Sequence, residues 1–86
     1  MFKIEFKNSV FKDIRRIPRM FLMKIESAIN QLAKNPIPKQ SKKIEGYQDY
    51  YRIRVGMYRV IYRVQKKIEI VTITKIRHRK DVYRRL

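Results

Sequence analysis

The chain has 86 residues and no cysteine, and its 23 Lys and Arg against 7 Asp and Glu give a formal net charge of +16. This length suits one domain, residues 1–86, with a single modest core. The lack of cysteine excludes disulfides, thiolate zinc sites and a cysteine nucleophile. No apolar run approaches a membrane span, and the N-terminus alternates charged with apolar residues where a signal peptide needs an unbroken apolar region. We therefore expect a cytoplasmic protein without membrane attachment.

The positive charge is concentrated toward the C-terminus. Residues 52–86 hold 12 basic and 2 acidic residues, whereas residues 1–51 hold 11 and 5. Such an excess predicts a polyanionic partner, and a purely solubilising charge is the alternative.

The first half of the chain predicts one strand and two helices. Residues 2–7 alternate apolar and polar residues, as a half-buried strand does. Asn8 or Ser9 can cap a helix that Pro18 stops, and a second amphipathic helix follows over residues 19–34 and ends before Pro36. Within this second helix Met20, Phe21 and Met23 are predicted to fill the core, with a partner surface as the alternative.

The second half predicts a polar loop (39–49), a hairpin (50–64), a β-branched strand (67–76) and a short polar tail or final helical turn. The element order is therefore βααβββ. It predicts an α+β fold in which two N-terminal helices pack on one face of a largely antiparallel four-stranded sheet.

The predicted hairpin carries like charges opposite one another. A two-residue type II′ turn at Gly56 and Met57 places Val55 opposite Tyr58, and therefore Arg54 opposite Arg59. The pleat then collects four arginines on the face turned away from the helices. They are Arg52, Arg54, Arg59 and Arg63. Directly opposed like charges are destabilising, so we interpret this face as a binding site for phosphate, with a solvated charged face as the alternative.

Several classes of catalytic site have no support in the sequence. The acidic residues are scattered, without the carboxylate cluster of a two-metal nuclease, so we predict neither a metal nor a cofactor. The single histidine, His78, lies between Arg77 and Arg79 and is either a general base or a structural or solvent-facing residue. Metal-free RNA cleavage remains, in which the 2′-hydroxyl of the RNA attacks the adjacent phosphate and the protein positions the reacting groups and stabilises negative charge.

The segments "YRIRVGMYRVIYRV" and "IVTITKIRHRKDVYRRL" resemble the RelE/ParE superfamily of bacterial and archaeal toxin–antitoxin modules. The resemblance is specific over residues 50–86 and compatible with the element order of the whole chain. It implies a toxin that enters the ribosomal A site and cleaves the mRNA there. It also implies an acidic RelB-like antitoxin as cognate partner, besides the ribosome and the mRNA.

The resemblance further implies a set of catalytic residues. Family members have two basic residues on the first hairpin strand, and these correspond to Arg52 and Arg54. The basic residue of their second strand corresponds to Arg59, and the basic residue after their last strand corresponds to Arg77. The C-terminal tyrosine corresponds to Tyr83.

Well-studied RelE toxins carry lysine at the first two positions. Arginine holds phosphate but is a poor general base, so Tyr83 and His78 are the candidates for proton transfer. We add Arg63, Arg79 and Lys80 as RNA-binding residues. Two other functions stay open: a ParE-like poison of DNA gyrase without nuclease activity, and an inactive basic nucleic-acid-binding relative.

Overall fold

A computed structural model of the protein describes residues 1–81. Its elements are β1 (Lys3–Phe6), α1 (Val10–Arg15), α2 (Arg19–Leu32), β2 (Lys42–Lys43), β3 (Tyr50–Val55), β4 (Tyr58–Gln65) and β5 (Ile70–His78). The strands form one sheet in the order β1-β5-β4-β3-β2, in which β1 runs parallel to β5 and the other neighbours are antiparallel. This α+β architecture confirms the predicted fold class.

The sheet has five strands among residues 1–81, one more than predicted. The additional strand, β2, is only two lysines long and pairs with Arg52 and Tyr51 of β3. Both lysines are exposed, and the surrounding sequence is polar. A strand this short at a sheet edge has no alternating apolar pattern, so the sequence predicted a loop there.

The last strand lies further along the chain than predicted. Its start is delayed to Ile70 because residues 66–69 form the β4–β5 turn, in which Glu69 has a φ of 54°. It ends at His78, so Arg77 and His78 belong to the strand and not to a tail.

The core lies between the sheet and the two helices, which pack on one of its faces. Ile25, Ile29 and Leu32 of α2 are buried there, and Val10 and Ile17 are the corresponding residues around α1. Burying such apolar side chains stabilises the fold by about 1.5–3 kcal/mol each. Pro18 precedes α2 and separates the two helices, as predicted.

Two local predictions in the helical segment were correct only in part. Ser9 occupies the N-cap position of α1, but its side chain makes no capping hydrogen bond. Met20 and Met23 are 67% and 66% exposed, and only Phe21 of the predicted cluster packs against the core. The buried stripe of α2 consists of Ile25, Ile29 and Leu32, and the two methionines lie outside it and project outward.

The β3–β4 hairpin has the predicted register. Val55 pairs with Tyr58 and Arg54 with Arg59. Gly56 has a φ of 60°, and Met57 is not in the positive-φ region, as a type II′ turn requires. Glycine adopts this φ without the steric cost of a Cβ atom.

One buried tyrosine ties the sheet to the connection that follows α2. Tyr62 of β4 is fully buried, and its hydroxyl donates a hydrogen bond to the backbone carbonyl of Pro36 at 2.9 Å. Burial raises the pKa of Tyr62 to about 12, although a hydrogen bond with Ser41 acts in the opposite direction. The charged form of this side chain is therefore unfavourable in the folded protein.

Neither helix in residues 1–81 has the length and apolar character that crossing a bilayer requires.

Candidate nucleic-acid interface

Three arginines lie side by side across three adjacent strands. Arg54 of β3 pairs with Arg59 of β4, and Arg59 pairs with Arg77 of β5. We call these three residues the arginine row. Paired residues on neighbouring strands lie only about 4.5–5.5 Å apart at Cα, so the row concentrates positive charge on the face opposite the helices.

A β-bulge determines on which face Arg77 lies. Ile61 pairs with Lys75 and Tyr62 with Ile73, so Thr74 is an extra residue in β5. The Thr74 hydroxyl donates to the carbonyl of Ile61 at 3.0 Å. Side chains alternate along a strand, and an extra residue reverses the alternation. The bulge therefore puts Arg77 beside Arg59, whereas an uninterrupted strand would place it on the face of Ile73.

The next row along the sheet consists of Arg52, Ile61 and Lys75. Ile61 is fully buried although it lies on the face away from the helices. Burial lowers the pKa of Lys75, the positive charges of Arg77 and Lys7 lower it further, and the carboxylate of Asp13 opposes the change. Burial is the larger cause of this lowered pKa, and the neighbouring positive charges add to it.

Two arginines of this face have buried nitrogen atoms without an acceptor. The Nε atoms of Arg59 and Arg63 are inaccessible to solvent and have no hydrogen-bond partner within the described part of the chain. Arg63 lies between Tyr50 and Thr72 in the third row. Buried donors without a partner are uncommon and costly, and they indicate either strain or a function.

The turn end of the arginine row opens into a cleft of about 300 Å³. Four cationic residues line it, namely Arg54, Arg59, Arg79 and Lys80. The backbone N–H of Arg79 donates to the carbonyl of Met57 at 2.6 Å, which fixes the chain after β5 against the hairpin turn. This cleft can accept an anion with bidentate donors from more than one side.

Arg77 differs from the other two members of the row because it has an acidic partner. Its Nη1 atom lies 2.5 Å from Oδ1 of Asp13, a residue of α1. The Asp13 side chain is only 12% exposed. Sequence reasoning missed Asp13, since nothing in "VFKDIR" shows that this carboxylate meets a strand more than sixty residues away.

His78 lies on the other face of the sheet. It pairs with Tyr58, and the two rings meet edge to face with centroids 5.3 Å apart. Its Nδ1 accepts the backbone N–H of Lys80 at 3.1 Å, and Asp81 Oδ2 accepts the backbone N–H of His78 at 2.9 Å. With Lys12, Asp13, Arg16 and Arg77, among others, it lines a second cleft, of about 540 Å³, between α1 and β5.

The structure thus brings most of the predicted basic residues to one face. Arg52, Arg54, Arg59, Arg63 and Arg77 share it, with Arg79 and Lys80 at its turn end. The His78 ring lies on the helix side of the sheet, where it lines the second cleft together with Arg77, and the predicted residue Tyr83 lies outside the described residues. Within residues 1–81 no group of three histidine or acidic side chains is placed to hold a metal ion.

Comparison with known proteins shows which family the chain matches. Residues 4–83 match the family model described as ParE toxin of type II toxin–antitoxin system, parDE. RelE1 of Methanocaldococcus jannaschii is 36% identical over 86 residues, covering 96% of each chain. Toxin RelE3 of the same organism is 33% identical over 85 residues, covering 94% of each.

A solved structure shows the same fold. The archaeal RelE–RelB complex from Pyrococcus horikoshii OT3 contains a chain that superposes with a TM-score of 0.82 at 28% identity, covering 94% of this chain and 98% of that one. The fold and the family match together define a toxin of a type II toxin–antitoxin system. The chain belongs to the RelE/ParE superfamily, and its relatives are RelE-like.

Proposed function

We propose that the protein is a ribosome-dependent, metal-independent endoribonuclease that cleaves mRNA in the ribosomal A site and so inhibits translation. The observation that carries this proposal is the arginine row, Arg54–Arg59–Arg77, which lies in register across three strands. A row of opposed like charges is unfavourable in the free protein and becomes favourable when a phosphate lies over it.

The reaction requires positioning of the scissile phosphate and stabilisation of the negative charge that develops on it. The 2′-hydroxyl oxygen attacks the adjacent phosphorus, and a base takes its proton. The P–O5′ bond then breaks, which leaves a 2′,3′-cyclic phosphate on one fragment, while the departing 5′-oxygen takes up a proton. Arg52, Arg54, Arg59 and Arg77 would stabilise the negative charge that develops on the phosphorane oxygens. Rigid guanidinium donors suit this role because they remain protonated throughout.

Proton transfer is assigned to Tyr83, with His78 as the second candidate. The His78 ring packs against Tyr58 on the helix side of the sheet, and its Nδ1 already accepts a hydrogen bond. A base at this position would have to reach the RNA around the end of the sheet. Arg79 and Lys80 line the cleft at the turn end of the row, and Arg63 lies two rows away on the same face, so these three residues would bind the flanking phosphates.

This site depends on its surroundings to align the RNA. It offers strong phosphate donors but weak proton-transfer groups, and correct alignment of reacting atoms can lower a barrier by about 7–11 kcal/mol. A ribosome that holds the mRNA in the A site would supply this alignment.

A cognate acidic, RelB-like antitoxin is the proposed protein partner. The Pyrococcus horikoshii relative with the same fold was solved as a RelE–RelB complex. The net charge of +16 gives the present chain strong attraction for an acidic partner.

Cleavage on and off the ribosome tests the proposal. The toxin is added to ribosomes carrying a defined mRNA and, separately, to the same mRNA alone, and the fragment ends are mapped. We expect cutting only on the ribosome, with a cyclic phosphate on the upstream fragment. Equal cutting of both RNAs would contradict the mechanism.

A gyrase assay in parallel tests the alternative that the family model's ParE description raises. Inhibition of supercoiling without any RNA cleavage would establish instead that the protein is a ParE-like poison of DNA gyrase. The absence of both activities would indicate an inactive relative.

A further inference from the structure

β5 projects beyond its parallel neighbour, and one acidic residue covers the exposed edge. The pairing of β1 with β5 ends at Phe6 and Ile73, and the last contact is the hydrogen bond from Lys7 N–H to the carbonyl of Ile73 at 2.9 Å. Residues 74–78 of β5 therefore have a strand, β4, on one side only within the described chain. We call the side of residues 74–78 that faces away from β4 the β5 edge.

Asp13 holds the β5 edge through both of its carboxylate oxygens. Oδ2 accepts the backbone N–H of Ile76 at 3.1 Å, and Oδ1 pairs with Arg77 Nη1 at 2.5 Å. The first contact satisfies a strand donor that would otherwise be unpaired at an edge. The second contact fixes a guanidinium that lies in the arginine row.

The position of the carboxylate gives the Arg77 side chain a direction. Asp13 approaches β5 from the side opposite β4, where Arg59 lies. The Nη1 atom of Arg77 is therefore held toward the β5 edge, away from Arg59. A guanidinium held at one edge keeps its remaining N–H groups in a defined place, whereas a free arginine samples many rotamers.

We propose that Asp13 is a positioning residue for the cleavage site: it acts through Arg77 and sets the distance of the third guanidinium from the other two. This inference rests on the proposed function. It assigns to Asp13 no contact with RNA, and it implies that the spacing of the row depends on α1 as well as on the sheet.

Removing the negative charge of Asp13 distinguishes a positioning role from a general effect of net charge on RNA binding. Asp13→Asn retains an oxygen for the Ile76 N–H and loses the negative charge beside Arg77. The protein then becomes more basic, so charge alone predicts tighter RNA binding and faster cleavage. Loss of positioning predicts slower cleavage without weaker binding, because misplacement of a reacting group by about 1 Å can reduce a rate by roughly 10²-fold.

The test compares Asp13→Asn with Glu69→Gln, which changes the net charge equally but lies in the β4–β5 turn, eight residues from Arg77 along the chain. On ribosomes, we expect Asp13→Asn to lower kcat by about 10- to 100-fold with KM unchanged or lower. Glu69→Gln should leave kcat near that of wild type. An Asp13→Asn variant that cuts at the wild-type rate would overturn the proposal.

A double-mutant cycle with Arg77→Gln shows whether Asp13 acts through Arg77. In the Arg77→Gln background, Asp13→Asn should have little further effect, since the group it positions is gone. Additive losses would mean that Asp13 supports the fold generally, and would overturn the assignment.

The Nη1–H resonance of Arg77, the group that contacts Asp13, reports positioning without any cleavage. In 15N NMR spectra this signal should be slow to exchange in wild type and Glu69→Gln and should broaden or disappear in Asp13→Asn. An unchanged signal in all three proteins would refute the positioning role. A wild-type protein that shows the expected signals but cuts no RNA would overturn the proposed function alone.

Discussion

Tyr58 and His78 are cross-strand partners whose rings meet edge to face at the end of the sheet, with centroids 5.3 Å apart. Tyr58 in turn contacts Phe21 of α2, with ring centroids 5.9 Å apart. His78 is therefore part of the packing between the sheet and the helices. This placement leads to the first prediction, which concerns the general base.

His78→Asn should leave ribosome-dependent cleavage within about threefold of wild type. Asparagine Oδ1 can replace Nδ1 as the acceptor of the Lys80 N–H, so the turn after β5 is preserved. Tyr83→Phe, which removes only a hydroxyl, should lower the single-turnover rate by about 10²-fold or more, the usual size of a general acid–base contribution. The opposite order of effects would identify His78 as the base.

The buried Tyr62 predicts a loss of stability at alkaline pH. Its folded-state pKa is raised to about 12 from 10.0, so the unfolded chain releases this proton first. The contribution is fully present below pH 10 and is lost as the pH rises toward 12. A raised pKa of this size corresponds to at most about 2–3 kcal/mol.

The matched variant is Tyr62→Phe, which cannot ionise. It should be less stable than wild type at pH 7 by about 1 kcal/mol, because the hydrogen bond to Pro36 is lost. Between pH 10 and 12, denaturant melts should show a smaller loss of unfolding free energy for Tyr62→Phe than for wild type. Parallel losses in the two proteins would refute the role of Tyr62.

The antitoxin prediction follows from the charge of the chain and from the family. Tagged toxin purified from its own operon should carry a small acidic chain in a stable complex that buries more than about 1,000 Å². The complex should form more slowly at high salt, because its association is steered by charge. Recovery of the toxin as a free monomer would argue against this partner.

Alternation and turn chemistry were sufficient to predict the hairpin register from the sequence. Gly56 required a specific turn, and that turn placed Arg54 opposite Arg59. The helices followed from apolar spacing and from Pro18. These features depend on residues that are close together in the chain, so they could be predicted from the sequence.

The position of Arg77 could not be predicted in this way. It depends on the bulge at Thr74, which reverses the alternation of β5, and on Asp13, which is distant in sequence. Both involve contacts between segments whose pairing is set by the tertiary fold. The exposed Met20 and Met23 illustrate the same limit, since periodicity does not specify which flank of an apolar stripe is buried.

The central claim is that the opposed arginines are retained for a phosphate, and Arg59→Gln tests it most directly when stability and activity are measured on the same protein. Removing one of the opposed charges should leave the free energy of unfolding unchanged or raise it by up to about 1 kcal/mol. Losing one preorganised donor should lower the single-turnover cleavage rate on ribosomes by roughly 10²-fold or more. Arg19→Gln, an identical change at the exposed first residue of α2, is the control and should affect neither quantity strongly. An Arg59→Gln protein that unfolds well below wild type yet cuts mRNA at the normal rate would contradict the account.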